Sequence, residues 1–367
     1  MAPGALATQA VILAGGQGTR LRPLTLSRAK PVVPLLNRPF LAYQLALLRQ
    51  HGVTDVVLSC SYRVDDVRRA LGDAREFGVT LRYVVEDEPL GTGGGVRNAA
   101  DLARGTVFVL NGDQLTDADL TAMRAFHAAR GSRLTIFLMP VDNPRAYGLV
   151  ETAADGRLLR FREKPGPADP LPTNMINAGI YLIDASLLAR MPAGRVISIE
   201  REFFPEAIAD DIPSFGWSAP GYWCDIGSLP AYRAAHIDLL EGRVKTPLGP
   251  AGEFRDGSWV APGLATAGAR LEGPAVVAAG VTIGPGAQVG PHAVIGPRSV
   301  IGPGARVERA VLWEGVHVGE GALVCDSVAG ADAVIGAGAT LGGGAVLPSG
   351  ASLPAGEARR GEPATGA

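Results

Sequence analysis

The sequence predicts an α/β domain on a mostly parallel sheet, followed by a parallel β-helix of hexapeptide repeats. Three observations carry that prediction. Short apolar runs alternate with amphipathic stretches from residue 8 to about residue 240. An aliphatic residue then recurs every six positions. Glycine is in excess, 49 of 367 residues, and much of the excess follows that six-residue beat.

In the first half, residues 10–14 read as a buried strand, 41–50 as a helix and 53–58 as the next strand. Residues 64–71 read as a helix, 81–85 and 106–110 as strands, 120–130 as a helix and 134–139 as a strand. Strands alternating with helices imply βαβ units, whose ligands sit where strands end and loops begin.

In the second half the beat runs through Ile283, Val289, Ile295, Ile301 and Val307, with mostly small residues two positions earlier. It is interrupted near Trp313 and returns at Val318, Val324, Ile335, Leu341, Leu347 and Leu353. A six-residue period is the mark of stacked β-helix coils, in which the aliphatic residue fills the prism and Gly or Gly-Pro turns the corner. A disordered Gly/Pro-rich tail does not hold such a beat. The expected division is 8–240 for the first domain and 248–354 for the β-helix, with 355–367 a frayed, flexible tail.

Composition narrows the function classes. Hydrophobic residues are 47% and charged residues 19%, a globular balance. Net charge is −2 without a basic stripe, which argues against a nucleic-acid partner. No apolar run approaches the roughly 20 residues of a membrane span. Residues 1–8 lack the charge and apolar stretch of a signal peptide. Cys60, Cys224 and Cys325 are scattered without metal spacing and fit a reducing cytoplasm.

The chemistry begins after the first strand, in Leu13-Ala-Gly-Gly-Gln-Gly-Thr-Arg-Leu-Arg-Pro-Leu-Thr25. A glycine cluster there lets backbone N–H groups approach phosphate. It is not a P-loop, since no Gly-Lys-Ser/Thr follows, and Leu21 stands at the third glycine position of a dinucleotide fingerprint. Arg20 and Lys30 add two cations, which suits a polyphosphate. Lysine is scarce: only Lys30, Lys164 and Lys245 occur among 34 basic residues. Where a compact ammonium does what a guanidinium does not, Lys is retained.

This loop with Lys30-Pro31 resembles the signature of the sugar-phosphate nucleotidyltransferase family. The likeness continues through Pro89-Leu-Gly-Thr-Gly-Gly-Gly-Val-Arg-Asn98, Asn111-Gly-Asp113, Ala146-Tyr-Gly-Leu-Val-Glu151, Glu163-Lys-Pro165, Asn177-Ala-Gly-Ile-Tyr181 and Trp223-Cys-Asp-Ile-Gly227. It implies a Rossmann-like catalytic domain with a left-handed β-helix behind it. It also implies transfer of a nucleoside monophosphate from an NTP to a sugar 1-phosphate, with release of pyrophosphate. By the same likeness Arg20 and Lys30 are catalytic. Leu13, Gly15, Gly16, Gly18, Thr19, Gly91 and Thr92 would bind the nucleotide. Gly148, Glu163, Lys164 and Asn177 would bind the sugar phosphate. Asp113 and Asp225 would bind Mg²⁺, which prefers one or two carboxylates plus phosphate oxygens.

Glu88-Pro-Leu-Gly-Thr-Gly-Gly-Gly95 and Ser198-Ile-Glu-Arg-Glu-Phe-Phe-Pro205 are most similar to the bacterial, β-helix-bearing mannose-1-phosphate guanylyltransferase branch. GTP and mannose 1-phosphate are thus the expected substrates, with glucose 1-phosphate and dTTP or UTP the alternative. Two other readings stand beside these. A β-helix acetyltransferase would use His292 or His317 as base. A non-catalytic regulatory subunit would have lost the cations that this chain keeps. The β-helix is also the expected surface for a homo-oligomer.

Overall fold

The computed structural model describes residues 7–266 and 268–361. The reading of residues 1–8 therefore falls largely outside the described residues, as does the end of the expected tail. Contacts divide the chain into two units. The first holds the residues up to Gln17 together with Leu41–Cys224; the second holds Gly18–Phe40 with Asp225 onward. Gly18–Phe40, the later part of the signature segment, and the helix Leu229–Leu240 group with the β-helix rather than with the sheet.

The first unit is organised by nine strands. They are β1 (Gln9–Leu13), β2 (Asp55–Cys60), β3 (Thr80–Val85), β4 (Thr106–Asn111), β5 (Leu134–Pro140), β6 (Gly148–Thr152), β7 (Leu158–Glu163), β8 (Met175–Asp184) and β9 (Ser214–Ser218). The order is β7-β6-β8-β4-β1-β2-β3, with β5 beside β8 and β9 parallel beside β5. Strands β4, β1, β2 and β3 run parallel, as the alternation of runs predicts. Strand β8 is antiparallel to β4 and β5, so one half of the sheet is mixed. The helices Phe40–Gln50, Val64–Leu71 and Leu120–Ala129 lie within a residue of expectation. Strand β2 begins two residues later than expected, because the Val53 N–H donates to Leu48 O and closes the preceding helix.

The β-helix in the second unit stacks short strands, parallel except for Glu253–Arg255 at one edge, into three sheets of seven, six and five strands. Thr282 pairs with Val300, eighteen residues on, and Gln288 with Arg306. Val294 then pairs with Val311, and Val300 with His317, only seventeen on. From Val328, which pairs with Val346, the offset is eighteen again. Two corners are thus one residue short, and their central residues Arg309 and Asp326 take positive φ. The first short corner explains the interrupted beat near Trp313. Ile283, Val289, Ile295, Ile301, Val307, Leu312, Val318, Val324, Ile335, Leu341, Leu347 and Leu353 fill the prism. Burying each such side chain contributes about 1.5–3 kcal/mol. The coil does not fray at residue 355: Ala358–Arg360 pairs with Thr340–Gly342 as a further strand. Only residues 362–367 of the expected tail lie outside the described residues.

One turn in the signature segment had no sequence signal. Pro34–Leu35 and Arg38–Pro39 pair through a two-residue loop, Leu36-Asn37, with positive φ at both positions. Such hairpin turns favour glycine or asparagine, so Leu36 is held there by its surroundings. It is buried, and its N–H donates to His236 Nδ1 at 3.4 Å.

Candidate active site

In the first unit the glycine motifs are set by close backbone approach. Leu13 at the end of β1 lies in register with Ser59 and Asn111. The Gly112 N–H donates to Leu13 O at 2.8 Å, and a Cβ on Gly112 would meet that oxygen at 2.5 Å. Asp113 therefore follows directly at the carboxyl end of the sheet. Its Oδ1 accepts from Gln114 Nε2 at 2.9 Å. A Cβ on Gly15 would lie 2.8 Å from Ser61 Oγ, whereas one on Gly16 would meet open space. The first glycine is required by packing; the second leaves room beside the backbone for a ligand.

The second glycine motif opens the helix Gly91–Ala99. Gly91 has φ +74°, and a Cβ there would meet Ile197 O at 2.6 Å. The Gly93 N–H donates to the same oxygen at 2.8 Å. The Thr92 hydroxyl donates to Glu200 Oε2 at 2.6 Å and accepts from the Ile199 N–H at 2.9 Å. Segment 197–200 thus backs the loop, and it leads into a wide π-type turn, Ile199–Phe203, with Ser198 capping the Arg201 N–H. Glu86, which the sequence did not single out, is buried beneath the loop and accepts from Ser59 Oγ at 2.8 Å and from the Leu90 N–H at 3.0 Å.

The sugar-side candidates meet on β6, β7 and β8. Gly148 lies in register with Glu163, and a Cβ on it would stand 2.8 Å from Glu163 Oε2. Lys164, with φ +44°, places Nζ 3.6 Å from Glu163 Oε1 and leaves most of its side chain exposed. Burial, with the Glu200 charge adding to it, pushes the Glu163 carboxyl above its ordinary value despite Lys164 and Arg201. Asn177 sits where β8 slips register around Gly179, which has φ +76°. Its Nδ2 donates to Tyr181 Oη at 2.9 Å, and its Oδ1 accepts from the Gly179 N–H at 3.0 Å. Tyr147 and Trp223 add an edge-to-face pair with centroids 5.5 Å apart.

In the second unit, Gly18 has φ +63°, and a Cβ would stand 2.9 Å from both Lys30 Cβ and Thr25 Cγ2. Lys30 is nearly buried, and the Thr25 hydroxyl donates to Gly18 O at 2.8 Å. Thr19 and Arg20 begin a short 3-10 turn after Gly18. Arg20 is largely exposed and places Nη2 3.5 Å from Asp225 Oδ2. The Gly227 N–H orients that carboxylate by donating to Oδ1 at 2.7 Å, and a Cβ on Gly227 would collide with Arg20 Nη2. Gly18 thus packs on Lys30, and Arg20 and Asp225 meet beside Gly227. Both aspartates offer hard oxygen donors of the kind Mg²⁺ takes. In the β-helix, His292 Nε2 lies 2.8 Å from Glu241 Oε1, and His317 stacks between Val300 and Val334.

A nucleotidyl transferase family model matches residues 9–242. The chain belongs to the nucleotidyl transferase family. A second model, a GMPPB C-terminal domain, matches residues 271–355. The chain is 41% identical over 282 residues to a mannose-1-phosphate guanylyltransferase of Mycobacterium tuberculosis, covering 75% of this chain and 76% of that one. It is 39% identical to a mannose-1-phosphate guanyltransferase of Schizosaccharomyces pombe, covering 61% and 62%. It is 31% identical to a UTP–glucose-1-phosphate uridylyltransferase of Synechocystis, covering 73% of each. Among solved structures, HddC from Yersinia pseudotuberculosis superposes with a TM-score of 0.55 at 28% identity, covering 63% of this chain and 99% of that chain. HddC is also solved in complex with GMP-PN. Among the described residues no helix is long and apolar enough to cross a membrane.

Proposed function

We propose that this nucleotidyl transferase makes GDP-mannose from GTP and mannose 1-phosphate. The 41% identity to the Mycobacterium tuberculosis guanylyltransferase, over three quarters of both chains, carries this reading. A phosphate oxygen of the sugar 1-phosphate attacks the α-phosphorus of GTP. A new P–O bond forms there, the bond to the bridging oxygen breaks, and pyrophosphate leaves with that oxygen and its electron pair. Positioning and charge neutralisation supply most of the rate in such transfers.

The roles follow the chemistry of each group. Arg20, exposed and aimed by its contact with Asp225, holds the triphosphate and steadies the leaving pyrophosphate. Lys30 sets a compact charge beside the transferring phosphate. Leu13, Gly15, Gly16, Gly18 and Thr19 present backbone to the nucleotide, and Gly91 with Thr92 borders the base. Because the Thr92 hydroxyl is engaged by Glu200, its contribution to the base is shape and backbone. Lys164 receives the sugar's phosphate, while Gly148, Glu163 and Asn177 meet its hydroxyls. Asp113 and Asp225 hold Mg²⁺, which neutralises charge on the reacting phosphates when bound.

Pyrophosphate release, measured with Mg²⁺ across four NTPs and a panel of sugar 1-phosphates, tests the proposal. GTP with mannose 1-phosphate should dominate; another dominant pair overturns the substrate reading. The Synechocystis relative makes UTP with glucose 1-phosphate the second reading, tested on the same plate. The reaction belongs in the cytoplasm on this reading, and the β-helix serves a homo-oligomer. A monomer by light scattering overturns the assembly.

A further inference from the structure

The segment that carries Arg20 and Lys30 is fastened to the β-helix by a buried aromatic and an ion pair. Trp313 follows Leu312 at a coil corner, where its neighbours in the stack are Gly296 and Gly330. It is 1% exposed, yet it is not one of the residues that fill the prism. It is covered from outside. The Arg28 guanidinium lies over its ring, 4.8 Å from the centroid. Its Nε1 donates to Tyr232 Oη at 3.1 Å, and that hydroxyl donates in turn to Pro34 O. Arg28 also pairs through both Nη atoms with the Glu314 carboxylate. Two further bonds reach the same segment: Asn37 Nδ2 donates to Ile295 O at 3.0 Å, and Ser27 Oγ lies 2.8 Å from Ser349 Oγ.

We propose that Trp313 and Glu314 of the β-helix, acting through Arg28, are positioning residues for the nucleotide-activating loop. This rests on the reading above, in which Arg20 and Lys30 hold the triphosphate. Arg28 stands between those two cations in the chain and only two residues before Lys30, so its anchor fixes where that ammonium sits. A planar guanidinium held by a bidentate carboxylate and an aromatic face has little freedom to slide. Misplacing catalytic groups by about 1 Å can cost on the order of a hundredfold in rate. The β-helix therefore has a catalytic consequence beyond assembly: it is the bench on which the loop is mounted.

The test uses the full chain with its preferred NTP and sugar 1-phosphate. Arg28→Ala and Glu314→Gln should each lower kcat or raise the KM for NTP by about tenfold or more, leaving the KM for sugar 1-phosphate within about twofold. The charge swap Arg28→Glu with Glu314→Arg should recover part of the loss. Arg306→Ala, an exposed β-helix pair elsewhere, should behave as wild type. Thermal midpoints are measured on every variant. A loss that tracks the midpoint and strikes both substrates equally overturns the inference in favour of a merely structural contact. If Arg20→Ala and Lys30→Ala keep wild-type turnover, the reading of the loop fails and the inference falls with it. If those two are inactive while Arg28→Ala and Glu314→Gln keep wild-type kinetics, the positioning inference alone is overturned.

Discussion

At the scale of single residues, the two lysines offer the sharpest prediction. Lys30 is packed against Gly18, where a Cβ would already crowd it. A guanidinium is wider and planar, so Lys30→Arg and Lys164→Arg should each lose at least about tenfold in turnover or affinity. Lys30→Arg should act through NTP and Lys164→Arg through sugar 1-phosphate, which separate KM titrations read directly. Glu163 supplies a pH prediction. Its pKa is raised by burial and then by Glu200, so its charged form is lost at a higher pH than for an ordinary carboxylate. The acid limb of kcat/KM for sugar 1-phosphate should therefore lie at higher pH than an exposed glutamate would give. Removing the like charge with Glu200→Gln should move that limb to lower pH. An unmoved limb would detach Glu163 from sugar binding.

At the scale of elements, the periodic parts were legible and the singular parts were not. The helix Val64–Leu71 and the aliphatic column from Ile283 to Leu353 announce themselves through repeating spacing. The glycine motifs announce themselves through composition, and the structure supplies their reason in backbone oxygens of Leu13 and Ile197. Glu86 and Glu200 carry no such signal: a lone acid is readable only once the loop it supports is folded around it. The Leu36-Asn37 turn was hidden for the same reason, since His236 on the helix Leu229–Leu240 comes from two hundred residues away. That helix also carries a stability prediction. Burial, opposed by the Pro34 carbonyl, pushes the His236 pKa down to about 3. The folded chain keeps it neutral, while the unfolded chain protonates it near its ordinary value. Its contribution is complete above about pH 6.5 and is lost progressively as pH falls toward 3. The thermal midpoint should fall across that window, and His236→Gln should flatten part of the fall at the cost of a lower midpoint at neutral pH.

At the scale of the whole molecule, the sequence separates a catalytic domain from a β-helix at about residue 240, but contacts place Gly18–Phe40 with the β-helix. Sequence order could not reveal this, because segment 18–40 is assigned by long-range partners such as Trp313, Glu314 and Ile295. A chain ending at Leu240 would keep all seven family motifs yet lose what covers Arg28. Truncation there deletes Trp313 and Glu314 outright, and with them the ring and carboxylate that hold Arg28. Such a truncation should therefore lose at least about a hundredfold in pyrophosphate release even where circular dichroism shows the sheet intact. Full activity in that fragment would show that the loop needs no support from residues beyond 240.

The two short corners of the β-helix constrain how this gene can change length. Arg309 and Asp326 stand one coil apart, and Arg309 bonds to Asp326 across the gap at 2.9–3.0 Å while Arg233 joins from the helix beside them at 3.0 Å. Restoring the missing residue in one coil alone would push one of these side chains out of its column. Length change at either corner is therefore constrained by the Arg233–Asp326–Arg309 triad.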